Sequence, residues 1–192
     1  MDLQPEELRS WSEHGYFSRE GLLGPDAAAS VKAAVEAFLA DPATALHPAA
    51  VIGAAAGIRG DSLVWLDRPA SLSSLWAAFD DLARSAARVR YLGLSDHVEV
   101  QLARYPGDGH GYARHRDAVA GAFGPGRRIT CIYYLNDGWS ASDGGALRLH
   151  LQDSVDLLPT ADRAVVFLSE DIEHEVLPTF RPRLALTAWY YA

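Results

Sequence analysis

The chain has 192 residues, 17 basic and 25 acidic side chains, a formal charge of −8 and a single cysteine. A length near 200 suits one domain that can bury a core without disulfides or structural metal. The acidic balance argues against nucleic acid as a partner, and Cys131 has nothing within the chain to bridge to, which fits a reducing, cytoplasmic setting.

The opening Met1-Asp2-Leu3-Gln4-Pro5 has neither the basic start nor the apolar run of a secretory signal. No apolar stretch approaches the ~18 residues of a membrane span. In chain order, Pro5-Glu6-Glu7 starts a helix that should stop near Gly15, with Pro in the first turn and acids on the positive end of the dipole. Gly24-Pro25-Asp26 opens a second helix, with Val31, Val35 and Phe38 on one face and Pro42 ending it. Residues 42–60 hold Ala, Gly and Pro with little periodicity. They read as a long loop and a candidate lid, with Gly53, Gly57 and Gly60 as hinges. A short strand at 62–66 precedes a third helix from about Ser71 to Arg88, which carries Leu72, Leu75, Trp76, Phe79, Leu82 and Ala86 at helical spacing.

From His97 onward, short runs of Val, Ile, Tyr and Leu alternate with Gly, Pro, Asp and Asn. Strands are expected at 97–105, 112–117, 128–135, 146–151, 164–168, 174–177 and 184–191. The expected fold is therefore α+β in one domain over 1–192. Residues to about 95 form mostly helical support and a substrate loop, and residues from about 96 form a β-barrel or jelly roll.

Within Ala113-Arg114-His115-Arg116-Asp117, period-two alternation puts His115 and Asp117 on one strand face, an imidazole beside a carboxylate. That pairing alone carries little, since seven His and 25 acids in 192 residues give about one such match by chance. His97-Val98-Glu99 is a rival. His174, where a loop becomes a strand, is the best third ligand, and two His with one carboxylate suit non-haem Fe(II). Nine residues later, Arg183 shares a face with Ala185, Thr187 and Trp189. A cation on an inward face needs an anion, either a bound carboxylate or an internal Asp or Glu.

Taken together, Tyr105-Pro106-Gly107-Asp108-Gly109, Gly111 to Asp117, Thr130-Cys131-Ile132-Tyr133-Tyr134-Leu135-Asn136, Gly144-Gly145-Ala146-Leu147-Arg148 and the His174/Arg183 segment resemble the prolyl hydroxylases of the Fe(II)- and 2-oxoglutarate-dependent oxygenase superfamily. The nearest likeness is to the hypoxia-inducible-factor prolyl hydroxylases and their bacterial counterparts. It runs from about Ile58 to Tyr190, since Ile58-Arg59-Gly60-Asp61 and Trp65 also fit.

The resemblance implies a double-stranded β-helix (jelly roll) with N-terminal supporting helices, and His115, Asp117 and His174 as iron ligands. The far carboxylate of 2-oxoglutarate would pair with Arg183 and Tyr134. Tyr105, Thr130 and Ile132 would lie near the co-substrate, with Leu147 and Val176 as apolar lining. Tyr112 and Trp189 would shape the substrate pocket, and Arg59 with Asp61 would help hold a peptide, an ordinary ion pair being the alternative for the last two. The implied reaction consumes O2 and 2-oxoglutarate, with ascorbate as a possible support, and hydroxylates a prolyl residue in a protein or peptide. In bacterial relatives the resemblance points to a loop of elongation factor Tu. The expected molecule is a monomer or weak dimer with no nucleic-acid or membrane partner. Hydroxylation of a free amino acid or small metabolite on the same site, and a non-catalytic metal-binding jelly roll, are the alternatives. The chain ends at Ala192, directly after the last expected strand, where the animal enzymes resembled carry a further segment. That difference, and the Ala- and Gly-rich 42–58, bear on which substrate is chosen.

Overall fold

The computed structural model describes residues 1–49, 59–118 and 126–192. Among the described residues three α-helices, α1 (Pro5–His14), α2 (Pro25–Ala40) and α3 (Ser73–Arg90), accompany eleven strands. The strands are β1 (Tyr16–Arg19), β2 (His47–Pro48), β3 (Ser62–Leu66), β4 (Val98–Tyr105), β5 (Tyr112–His115), β6 (Arg127–Tyr134), β7 (Leu147–His150), β8 (Val155–Leu157), β9 (Ala164–Leu168), β10 (Glu173–Val176) and β11 (Arg183–Tyr191). Two antiparallel sheets form the jelly roll. The larger has the order β1-β9-β6-β11-β4-β3-β2 and the smaller β5-β10-β7-β8. Among the described residues no helix is long and apolar enough to cross a membrane.

The helices start and stop where their chemistry says. Pro5 occupies the first turn of α1, the Gln4 backbone N–H donates to the Glu7 carboxylate at 2.8 Å, and Gly15 ends the helix at φ 77°. Helix α3 buries Leu75, Phe79, Leu82 and Ala86, the apolar stripe of its sequence. It lies on the outer face of the large sheet, with Phe79 edge-on to Tyr133 at 6.5 Å and the Tyr190 hydroxyl donating to Asp80 at 2.7 Å. The period of two in β11 sorts its side chains. Leu186, Ala188 and Tyr190 join the helix-covered core, while Arg183, Ala185, Thr187 and Trp189 line a pocket between the two sheets.

The structure departs from the expectation in two places. Strands β1, β2 and β8 were not expected. Strand β5 ends at His115, so Asp117 lies past the strand in a bend, beyond the reach of the alternation argument. The candidate lid falls largely on 50–58, with Gly53, Gly57 and Ile58, outside the described residues. Gly60 is described, and its N–H donates to the Gly111 carbonyl at 3.0 Å. A side chain at Gly111 would run into the Val176 carbonyl, so the close approach of β5 to β10 requires glycine there.

Candidate metal centre

His115 and His174 are directly opposite each other across the β5–β10 ladder, with ring centres 4.2 Å apart. The Nδ1 of His115 faces the Ala113 carbonyl at 2.8 Å and that of His174 faces the Ile172 carbonyl at 3.2 Å. A carbonyl only accepts, so each Nδ1 carries the proton and each Nε2 lone pair is free for a metal. Both Nε2 atoms point at one oxygen of Asp117, at 3.6 and 3.7 Å. One ligand atom from each of the three residues lies within 4.8 Å of the others, the only such group among the described residues. The rival pair His97/Glu99 takes no part.

Because Asp117 lies beyond the strand, other contacts hold it. The Thr130 hydroxyl donates to its second oxygen at 2.8 Å and is itself 2.8 Å from the Ser169 hydroxyl, and Arg127 approaches its backbone carbonyl at 3.5 Å. Burial alone would raise the Asp117 pKa, but the two imidazoles hold the carboxyl well below the usual range. Burial lowers the pKa of His174, against the opposing pull of Asp117. Both groups are thus poised in their metal-binding, deprotonated forms. Two imidazole nitrogens and a carboxylate on one wall of an open pocket fit Fe(II) and leave coordination positions toward the cavity.

Arg183 sits at the other end of that pocket with 2% exposure. Its Nε donates to the Gly145 carbonyl at 2.9 Å, and its guanidinium carbon lies 5.0 Å from the Tyr134 ring centre and 5.1 Å from that of Tyr105. It forms no ion pair with any described residue, so an internal Asp or Glu is not its partner among them. The Tyr134 hydroxyl is buried without a hydrogen-bond partner. A buried guanidinium beside a buried orphan phenol is a costly arrangement that one ligand carboxylate would satisfy. Ile132, Leu147 and Val176 line the cavity between Arg183 and the triad. Thr130 shares the strand face of Ile132 and Tyr134, and its hydroxyl is committed to Asp117.

At the mouth, Tyr112 stacks on His115 at 3.7 Å and Arg59 lies over Tyr112 at 4.4 Å. Arg59 forms a two-point pair with the buried Asp61 at 2.7 and 2.6 Å, which puts Asp61 behind Arg59 and leaves only Arg59 on the cavity. Trp189 lies under Arg127 at 4.1 Å and beside Trp65 at 5.7 Å. Arg127, Gln101, Thr187 and Trp65 also line the cavity. The strand parity of Gln101 with Tyr105 was a usable signal for the first missed polar group, whereas nothing in the sequence marks Arg127. Arg127 also accounts for Glu99, which is inward by parity. The carboxylate accepts from Arg127 and from the Tyr191 hydroxyl, each at 2.6 Å, and these contacts lower its pKa despite partial burial.

Comparison with known proteins agrees with this geometry. Residues 100–191 match the model of the 2OG-Fe(II) oxygenase superfamily. Rat Egl nine homolog 1 is 36% identical over 144 residues, covering 70% of this chain and 42% of that protein. The chain thus spans about two-fifths of that relative's length. The crystal structure of a Pseudomonas putida prolyl-4-hydroxylase is 34% identical, covers 97% of both chains and superposes with a TM-score of 0.82. A prolyl hydroxylase from Trichoplax adhaerens, solved with a peptide fragment of the hypoxia-inducible factor oxygen degradation domain, is 28% identical with a TM-score of 0.83, over 96% of this chain and 87% of that one. With fold, triad and near full-length identity in agreement, the chain belongs to the prolyl hydroxylases of the 2OG-Fe(II) oxygenase superfamily.

Proposed function

We propose that this protein is an Fe(II)- and 2-oxoglutarate-dependent dioxygenase that hydroxylates a prolyl residue in a protein or peptide, acting in the cytoplasm. The observation that carries the reading is one pocket lined by both the convergent triad and the unpaired, buried Arg183, with the orphaned Tyr134 hydroxyl on a ring 5.0 Å from that guanidinium. A non-catalytic metal-binding module has no use for the second feature.

His115, Asp117 and His174 would hold the iron. When bound, iron and 2-oxoglutarate together supply O2 activation and C–H hydroxylation, with release of succinate and CO2. The protein's contribution is placement. Arg183 and Tyr134 anchor the far carboxylate of the co-substrate, and Ile132, Leu147 and Val176 exclude water around its carbon chain. Thr130 keeps Asp117 aimed at the metal. Tyr112, Trp189 and Arg59 form the rim on which the substrate rests.

The experiment is mass spectrometry of a cell lysate incubated with and without the enzyme, with 2-oxoglutarate and ascorbate present. The expected result is a gain of one oxygen on a single prolyl residue, and the elongation factor Tu loop is the first site to inspect. Turnover stimulated by a free amino acid or small metabolite, with no prolyl peptide accepted, would reject the reading.

A further inference from the structure

Asn136 lies two residues beyond the end of β6 and is 8% exposed. The Leu184 N–H donates to its Oδ1 at 2.8 Å, while its Nδ2 donates to the Leu184 carbonyl at 3.0 Å and to the Pro159 carbonyl at 2.8 Å. A backbone N–H needs an acceptor and a carbonyl needs a donor, so these partners fix which end of the amide is which. Both protons on Nδ2 are thereby used.

An acceptor and a donor that serve both backbone groups of one residue make the rung a neighbouring strand would otherwise supply. Strand β6 pairs with β11 only as far as Tyr134, opposite Ala185. Beyond that point the Asn136 amide continues the ladder to Leu184. Pro182, just before the strand, has no N–H to add.

The tie lies beside the two groups that face the far carboxylate of the co-substrate. Leu184 is bonded to Arg183, and Asn136 follows Tyr134 by two residues. Arg183 opens β11, between its partner Tyr105 on β4 and the Asn136 tie on the other side. Its side chain donates to the Gly145 carbonyl from Nε, and its guanidinium carbon lies 5.0 Å from the Tyr134 ring centre. The aim of the guanidinium therefore depends on where the strand backbone starts. Asn136 does not itself line the cavity, so it acts through Arg183.

We propose that Asn136 is a positioning residue for the co-substrate, whose amide sets the spacing of Arg183 and Tyr134 and so the affinity for the far carboxylate of 2-oxoglutarate. This inference rests on the reading above that anchors that carboxylate at Arg183.

The test uses the full chain loaded with Mn(II). The probes are 2-oxoglutarate and 2-oxopentanoate, which has the same keto-acid end and a methyl group in place of the far carboxylate. Binding is followed by water-proton relaxation. Asn136→Ala should weaken 2-oxoglutarate binding about tenfold and leave the affinities for 2-oxopentanoate and Mn(II) unchanged. In an Arg183→Leu background the same substitution should add no further loss. Should the Ala variant fail to fold, amide exchange in the unmodified Zn(II)-loaded chain decides. The Leu184 N–H should exchange more slowly with 2-oxoglutarate bound than with 2-oxopentanoate, because the bound carboxylate and the Asn136 tie favour the same strand position. An Ala variant that keeps its 2-oxoglutarate affinity, or that loses both probes alike, overturns the role of Asn136. Equal protection of the Leu184 N–H by both probes does the same. An unmodified chain that binds both probes equally well overturns the anchoring at Arg183 as well.

Discussion

The Thr130 hydroxyl and the Asp117 carboxylate meet at 2.8 Å, joining a central strand of the large sheet to a metal ligand that has already left its own strand. Thr130 is the cross-strand partner of Trp189, which lines the pocket. Strand β6 thus orients Asp117. Replacing Thr130 by Val keeps the shape and removes the donor. Outer-shell partners of this kind typically contribute ~10–100-fold to metal affinity or activity. Thr130→Val should weaken Fe(II) or Mn(II) binding by about that factor, measured by competition with a chelating dye, with little change in melting temperature.

Arg183 and Tyr134 should act together on the co-substrate. Loss of a hydrogen bond to a charged group costs about 1.5–3 kcal/mol, so Arg183→Leu should lower 2-oxoglutarate affinity roughly ten- to hundredfold and Tyr134→Phe by a smaller factor. Calorimetric titration of the Mn(II)-loaded protein checks both. Unchanged affinity in Arg183→Leu would place the far carboxylate elsewhere.

Metal should stabilise the folded chain through the triad. A divalent ion at a hundred times its dissociation constant adds about 2.7 kcal/mol when it binds only the folded state. Thermal melts with Mn(II) should therefore rise above melts in excess chelator, and the difference should vanish in His174→Ala. A full metal-dependent shift in that variant would show that the ion binds somewhere else.

His174 gives the metal-free protein a pH dependence of known sign. Its folded pKa lies below the ordinary value of about 6.5 because burial disfavours the imidazolium. Below about 6.5 the unfolded chain takes up a proton that the folded chain still refuses, so stability present above that pH is lost as the pH falls toward the folded pKa. Urea midpoints for the metal-free protein should drop between about pH 7 and 5.5, and His174→Gln should flatten the drop.

The helix-covered side of the large sheet sets stability rather than chemistry. Leu186, fully buried there, alternates with Ala185 and Thr187 on the pocket side. Leu186→Ala should cost ~2–5 kcal/mol in denaturant unfolding, while the folded fraction keeps its 2-oxoglutarate affinity.

Strands β4, β6 and β11 were legible because they are long and alternate cleanly. The pattern from Arg183 to Trp189 identifies the inward face of β11 before any coordinates, and Arg183 pairs with Tyr105 as parity requires. Strands β1, β2 and β8 left no such trace.

Local sequence determined the helix ends, the two faces of each long strand and the residue types able to bind a metal. These depend on nearest neighbours and on the fixed geometry of the backbone. Only the tertiary structure decided that His174 would pair with His115 across a ladder, that Asp117 would be held by Thr130 from another sheet, and that Arg127 would neutralise Glu99. It also tied Asn136 to Leu184. Those partners lie 13 to 59 residues apart in the chain. Their meeting is set by how two sheets close over a shared core, and composition and periodicity do not encode that closure.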